Sequence, residues 1–208
     1  MQHPLRTPLG RRAPRLHSHH DMLTVNEIFC REDYRTTEPR VVVDLGSNIG
    51  LSALYFLTRH RGSFCFLFEP LPANVERLHH NLAGFESRYR VETCAVGVDT
   101  GEASFGYEPT GRYGGLGRRT GASMRVWCRA AAEVVSEVTE QHGEIDILKV
   151  DIESLEREVV DSIPRQLKSL IRTILIEQKY RANPYPDLYR LRQEGPIARF
   201  ERRSPVPE

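Results

Sequence analysis

The chain is poor in the features that announce special chemistry. It has four cysteines, at positions 30, 65, 94 and 128, and no two form a C-x-x-C. That spacing indicates neither a zinc site nor a dithiol redox pair. No apolar run approaches the ~18 residues needed to span a bilayer. The N-terminus lacks the apolar h-region of a secretory signal. The formal net charge is +1, which gives no electrostatic footing for nucleic acid or an acidic membrane surface. There is no internal repeat and no low-complexity tract. These absences lead us to expect a cytoplasmic protein with reduced thiols, Cys65 and Cys94 buried, and no nucleic-acid or membrane partner. The three histidines His17, His19 and His20 sit together, but at a chain end we expect them to be solvated, with no metal bound. At 208 residues the chain suits one domain, and folding should bury roughly 70% of the unfolded surface without a disulfide or metal staple. The 39% hydrophobic and 27% charged content is that of an ordinary soluble domain.

What the chain does have is centred on residues 41–57, VVVDLGSNIGLSALYFL. Val41, Val42 and Val43 form a β-branched run suited to a strand buried on both faces of a parallel sheet. Asp44 follows, then Gly46, Ser47, Asn48, Ile49 and Gly50 make a tight turn. Leu51, Leu54, Tyr55 and Thr58 recur at helical spacing, so a helix should start near Gly50. Strand, glycine turn and helix present backbone N–H groups to a ligand beyond the strand end. Two reasons for the glycines stay open: close approach of a ligand to the backbone, or steric need in a βα turn. The pattern departs from the dinucleotide fingerprint G-x-G-x-x-G. Asn48 occupies the second-glycine position, and no third glycine stands in place. An amide there suits a carboxylate or amine better than a pyrophosphate.

The remaining pattern alternates strands and helices. Residues 1–20 read as a flexible basic arm, with Arg6, Arg11, Arg12 and Arg15 unbalanced by acids. A helix is expected from Asp21 to near Tyr34, with Leu23, Ile28 and Phe29 apolar. Strands are expected at 63–68, 90–96, 103–107 (antiparallel), 124–128, 145–150, 173–176 and 197–202. Helices are expected at 72–83, 130–141, 153–162 and 186–192. Gly111, Gly114, Gly115, Gly117 and Gly121, mixed with Arg112, Arg118 and Arg119, read either as a loop over a substrate or as a hairpin excursion. The fold class this implies is α/β: a single Rossmann-like domain over 21–208, with a mostly parallel sheet, helices on both faces and a small antiparallel hairpin insertion.

Four acids stand at the C-terminal ends of expected core strands: Asp44, Glu69, Asp151 and Glu177. In an open parallel sheet those ends share one edge, where ligands bind. Glu69 lies about one βα unit beyond the glycine turn, the spacing of an acid that accepts hydrogen bonds from ribose hydroxyls. That spacing identifies a nucleoside, whichever cofactor carries it.

DLGSNIG resembles motif I of class I S-adenosylmethionine-dependent methyltransferases, in the D-x-G-x-N-x-G form of the FkbM-type family. The resemblance continues through Glu69-Pro70, through Ala95-Val96-Gly97, and through Lys149-Val150-Asp151-Ile152-Glu153-Ser154-Leu155-Glu156, the family's K-[IV]-D-[IV]-E-G-x-E string. HHDMLTVNEIFCREDY resembles the short segment that precedes motif I in the family. The resemblance implies S-adenosyl-L-methionine as cofactor. It places the methionine part on Gly46, Asn48 and Gly50, the ribose on Glu69, the adenine by Ala95, and the transferred methyl near Asp151. The full candidate binding set is Asp44, Gly46, Ser47, Asn48, Gly50, Glu69, Pro70, Asn74, Ala95 and Asp151, with Asp151 and Glu177 as catalytic candidates and no metal. Two departures stand out: Ser154 replaces a glycine, and Gln178 follows Glu177 where the family often has an apolar residue and then His. The implied activity is in-line O-methylation of a small-molecule hydroxyl by a monomer or homodimer. The alternatives are a nicotinamide-dependent oxidoreductase on the same fold and an inactive binding protein that keeps the fold.

Overall fold

The computed structural model describes residues 4–108, 114–118, 121–153 and 155–203. The chain enters through β1 (Leu5–Thr7) and β2 (Gly10–Arg12), which pair antiparallel. Beyond this hairpin Leu16 is buried, and the Arg15 amide donates to Asn81 Oδ1 at 2.7 Å. The stretch expected as a flexible arm is therefore paired and docked in its described part. Helix α1 (His19–Val25) starts at a capping box, with Ser18 and Asp21 exchanging hydrogen bonds. It runs straight into one π-helical turn, Asn26–Cys30. Together they form the helix expected from Asp21, begun two residues earlier and ended four residues before Tyr34.

The central units follow in order: β3 (Val41–Leu45), α2 (Leu51–Leu57), β4 (Phe64–Phe68), α3 (Pro72–Asn81) and β5 (Tyr89–Glu92). Then come β6 (Ala95–Gly97), β7 (Gly101–Tyr107), β8 (Gly114–Leu116) and β9 (Ala122–Ala130). The chain returns through α4 (Ala131–His142), β10 (Ile145–Val150), α5 (Glu156–Ser162), α6 (Arg165–Lys168) and β11 (Ile171–Ile176). It closes with β12 (Tyr189–Glu194) and β13 (Ile197–Arg202).

Seven strands form the main sheet in the order β12-β13-β11-β10-β3-β4-β5. The pairs from β11 to β5 are parallel, and β13 and β12 are antiparallel. Burial of both faces explains the continuous valine run. Val43 and Leu45 pack with Leu148, Val150 and α4 on one face. Val42 packs with Cys65, Ile147 and α2 on the other. Fully burying such a side chain is worth about 1.5–3 kcal/mol, and a polar substitution on either face would lose it. Cys65, Cys94 and Cys128 are buried free thiols and Cys30 is exposed. Among the described residues no helix is long and apolar enough to cross a membrane.

Three expectations need correction. The strand expected at 90–96 is two strands in two sheets. The main sheet ends with β5, while β6 opens a second sheet of order β6-β9-β7-β8. The insertion is thus four strands rather than a hairpin, because β6 pairs parallel to β9. The helix expected at 186–192 is strand β12, preceded by a turn. There Tyr189 is fully buried, donating its hydroxyl to the Lys168 and Ile171 carbonyls at 2.5 and 3.1 Å. The alternation of Tyr189 and Leu191 with Arg190 and Arg192 has the strand period of two. Finally, α5 begins at Glu156 instead of Glu153, whose φ of 59° is left-handed.

Candidate active site

The parallel strands end on a common edge, where a cleft is bounded by the turn after β3, the end of β4, the β10–α5 loop, the insertion sheet and the N-terminal segment. The turn at 46–50 is stapled to its neighbours. The amides of Gly46 and Ser47 both donate to the Phe68 carbonyl at 3.0 Å. The Ser47 hydroxyl donates to the Asp44 carbonyl at 2.8 Å and accepts from the Phe68 amide at 3.2 Å. Gly46 has φ +80°, and a Cβ there would lie 1.9 Å from the Asp151 carbonyl oxygen. At Gly50, φ +83°, a Cβ would meet Leu78 Cγ at 3.0 Å. The contacts give both glycines a steric role in the turn. Gly46 lets the β3 turn close against the end of β10.

Glu69, 5% exposed, sits at the end of β4. Its Oε1 accepts from the Leu71 amide at 3.0 Å and from Asn74 Nδ2 at 3.2 Å. Its Oε2 accepts from the Asn48 amide at 3.0 Å. Burial pushes the carboxyl up to about 7, against the downward pull of these bonds and of Lys149. An ionised carboxylate has about four acceptor positions, so there is room for a further donor.

Lys149 was not singled out by the sequence reading for any role. It is almost completely buried, and its Nζ lies 2.9 Å from Asp44 Oδ1 and 3.5 Å from Asp151 Oδ2. It also donates to the Gly46 and Leu45 carbonyls at 3.0 and 3.4 Å. Burial lowers the pKa of its ammonium, but Asp44 and Asp151 outweigh that and hold it raised. Lys149 thus ties the glycine turn to the end of β10. Asp44 lies beneath the cleft instead of in its lining, fully buried between Lys149 and the Ser52 hydroxyl, which donates to it at 2.5 Å.

Asp151 and Glu177 end adjacent parallel strands and meet at the cleft. The charge of Asp151 pushes the Glu177 carboxyl up to about 8, with burial and a hydrogen bond to Asp151 adding to it. Glu177 stands at the exposed rim, so solvent moderates the burial effect and the neighbouring charge is the decisive cause. Two like charges this close favour a state in which one proton is shared. Tyr34, buried and stacked on Phe56 with ring centroids 6.0 Å apart, reaches Asp151 Oδ2 with its hydroxyl at 3.5 Å.

Of the expected site residues, Gly46, Ser47, Asn48, Glu69, Pro70, Ala95, Asp151 and Glu177 line this one cleft. Asp44, Gly50 and Asn74 stand behind it as supports. Ser154, and Gly111, Arg112 and Arg119 of the glycine-arginine stretch, lie outside the described residues. Gln178 is not part of the lining. Thr24, Glu27 and Ile28 of the N-terminal segment, and Phe105 and Leu116 of the insertion sheet, also face the cleft. The alternation around Phe105 shows burial, but not against what. Arg118 closes the insertion sheet onto the β10–α5 loop through an ion pair with Glu153 at 3.1 Å. Among the described residues no group of three or more His, Cys, Asp or Glu side chains is placed to hold a metal.

The methyltransferase FkbM domain family matches residues 44–194. A solved methyltransferase FkbM from Methylobacillus flagellatus superposes with a TM-score of 0.53 at 20% identity, over 80% of this chain and 44% of its own. A methyltransferase from Geobacter sulfurreducens gives a TM-score of 0.46 at 14% identity, over 91% of this chain and 81% of its own. The AMB antimetabolite synthetase AmbE of Pseudomonas aeruginosa is 33% identical over 87 residues, 41% of this chain. The chain spans only 4% of that synthetase and 44% of the Methylobacillus protein.

Proposed function

The chain belongs to the methyltransferase FkbM domain family, and on that premise we propose that it methylates a hydroxyl of a small molecule, with S-adenosylmethionine as donor. The bound donor would supply a methyl group on a positively charged sulfur. The residues present suit it. Glu69 keeps an acceptor position for a ribose hydroxyl. Ala95 and Leu71 offer apolar surface beside Glu69, and the turn at Gly46, Ser47 and Asn48 faces the same cleft.

The observation that carries the reading is the Asp151–Glu177 pair in the same cleft as Glu69. With one shared proton the pair holds a single negative charge at neutral pH. An acceptor hydroxyl would donate to it, and its proton would pass to the pair as the oxygen takes the methyl. Alignment of the acceptor is worth ~7–11 kcal/mol in well-oriented systems, and proton removal adds ~10²–10⁴-fold. The N-terminal segment supplies the acceptor wall through Thr24, Glu27, Ile28 and Tyr34, all outside the span matched by the family.

Calorimetry with S-adenosylmethionine, its demethylated product and NAD tests the reading. Binding of the first two without NAD is expected; NAD binding alone would return the oxidoreductase alternative. Turnover should survive a chelator, and loss restored by magnesium would show a metal that this reading does not include.

A further inference from the structure

We propose that Tyr34 is a positioning residue for the carboxyl pair: its hydroxyl, donating to Asp151 Oδ2, keeps the negative charge on Asp151 and the shared proton on Glu177. The proposal rests on the reading of that pair as the proton-taking group, and it extends the site to a residue upstream of the matched span.

The geometry is specific. Two groups approach one oxygen, Asp151 Oδ2: the Tyr34 hydroxyl donates to it at 3.5 Å, and the Lys149 ammonium forms an ion pair with it at 3.5 Å. The ammonium also lies 5.8 Å from the Tyr34 ring centroid, so aromatic face and charge support each other. The ring cannot swing away freely. It is 6% exposed and stacked on Phe56. Burial, and then the charge of Asp151, hold the tyrosine pKa well above its ordinary value. The group therefore stays a protonated donor at any working pH.

The other charges around the pair do not replace this contact. From β3, Asp44 faces the far side of Lys149. From the β10–α5 loop, Glu153 adds negative charge but is paired with Arg118. From the N-terminal segment, Arg31 feels Glu177 yet is paired with Asp33. Among the described residues, the hydrogen-bonding partner of Glu177 in the pair is Asp151. Donors on one carboxyl and not on the other decide which of them ionises. In turnover Asp151 is then the ready acceptor. An acceptor hydroxyl would give its proton to Asp151 as its oxygen takes the donor's methyl, the electron pair of the methyl–sulfur bond staying with sulfur.

Tyr34→Phe removes the hydroxyl and keeps the ring stack, so its melting temperature should match the parent. Carboxyl ¹³C NMR of the ligand-free protein is the decisive measurement. In the parent, the step near pH 8 should fall mainly on Glu177. In the variant a smaller share of that step should fall on Glu177. Turnover should drop roughly tenfold or more, the scale for losing a hydrogen bond to a charged group, with S-adenosylmethionine affinity unchanged. Identical titration of Glu177 in the two proteins overturns the proposal, even if turnover falls. Because the titration is read without ligand, that failure is distinct from failure of the methyltransferase reading, which would appear as a parent protein that binds no S-adenosylmethionine.

Discussion

The two halves of the cleft are built on different principles. The half around Glu69 is held mainly by backbone. Gly46 and Ser47 amides lock onto Phe68, and Glu69 is held by the amides of Asn48 and Leu71. The half around Asp151 is made of side chains brought from β10, β11, the insertion sheet and the N-terminal segment. A backbone-built half cannot adjust, so its failure should be abrupt. A side-chain half can be retuned one contact at a time, which suits the part of a transferase that must fit a particular acceptor.

That contrast predicts a ranking of effects. Gly46→Ala should be the most damaging single change, because its Cβ would lie 1.9 Å from the Asp151 carbonyl in a left-handed conformation. We expect a loss of about 4 kcal/mol or more in urea unfolding, at the exceptional end for a point substitution. A midpoint close to the parent's would mean that the turn can open.

Asp151→Asn should lower turnover about a hundredfold or more while keeping melting temperature and S-adenosylmethionine affinity. The Asn cannot take a proton but retains much of the hydrogen bonding. Near-normal turnover would move the base to Glu177.

Third comes pH. Glu69 titrates near 7 when free, and ribose donors favour its ionised form. Affinity for S-adenosylmethionine should therefore weaken as pH falls below 7, by up to about tenfold per unit. Stability of the ligand-free protein should run the other way. A carboxyl raised above its unfolded value contributes stability at low pH that is lost as pH rises through 7. Calorimetric titrations and melts at pH 5, 6, 7 and 8 read both slopes, and two slopes of the same sign would contradict the role given to Glu69.

On the acceptor side the effects shrink. Glu27→Gln should raise acceptor KM by ~3–10-fold, the range of one hydrogen bond, and leave cofactor affinity alone. Deleting the whole segment would be a poor test, because Val25, Ile28 and Tyr34 belong to the core. Arg118→Ala, which breaks a half-exposed ion pair, should cost at most about 1 kcal/mol, with any kinetic effect confined to the acceptor.

The backbone half was legible because its determinants are local. Gly46, Asn48 and Gly50 sit within five consecutive residues, and Glu69 follows at a distance set by one βα unit. The strand at 145–150 was read to its exact ends because its mostly apolar, buried run stands between the acids Glu144 and Asp151. The misreadings have one cause. Residues 90–96 are apolar enough for a strand, but only the partners of β5 and β6 decide that they belong to two sheets. Residues 186–192 open on Pro and Asp, residue types favoured at a helix start, and the pairing with β13 outweighs that local signal.

From the chain alone came the α/β class, the strand-end edge and the acids that stand there, because hydrophobic period and turn residues act over a few neighbours. Tertiary structure alone decided that Gly46 makes room for Asp151, that Lys149 joins Asp44 to Asp151, and that Tyr34 reaches across 117 positions to the same oxygen. Those contacts arise from how the sheet is ordered and what packs on its edge. Residues distant in sequence leave no local signature of such a meeting, and only the assembled fold sets their distance and burial.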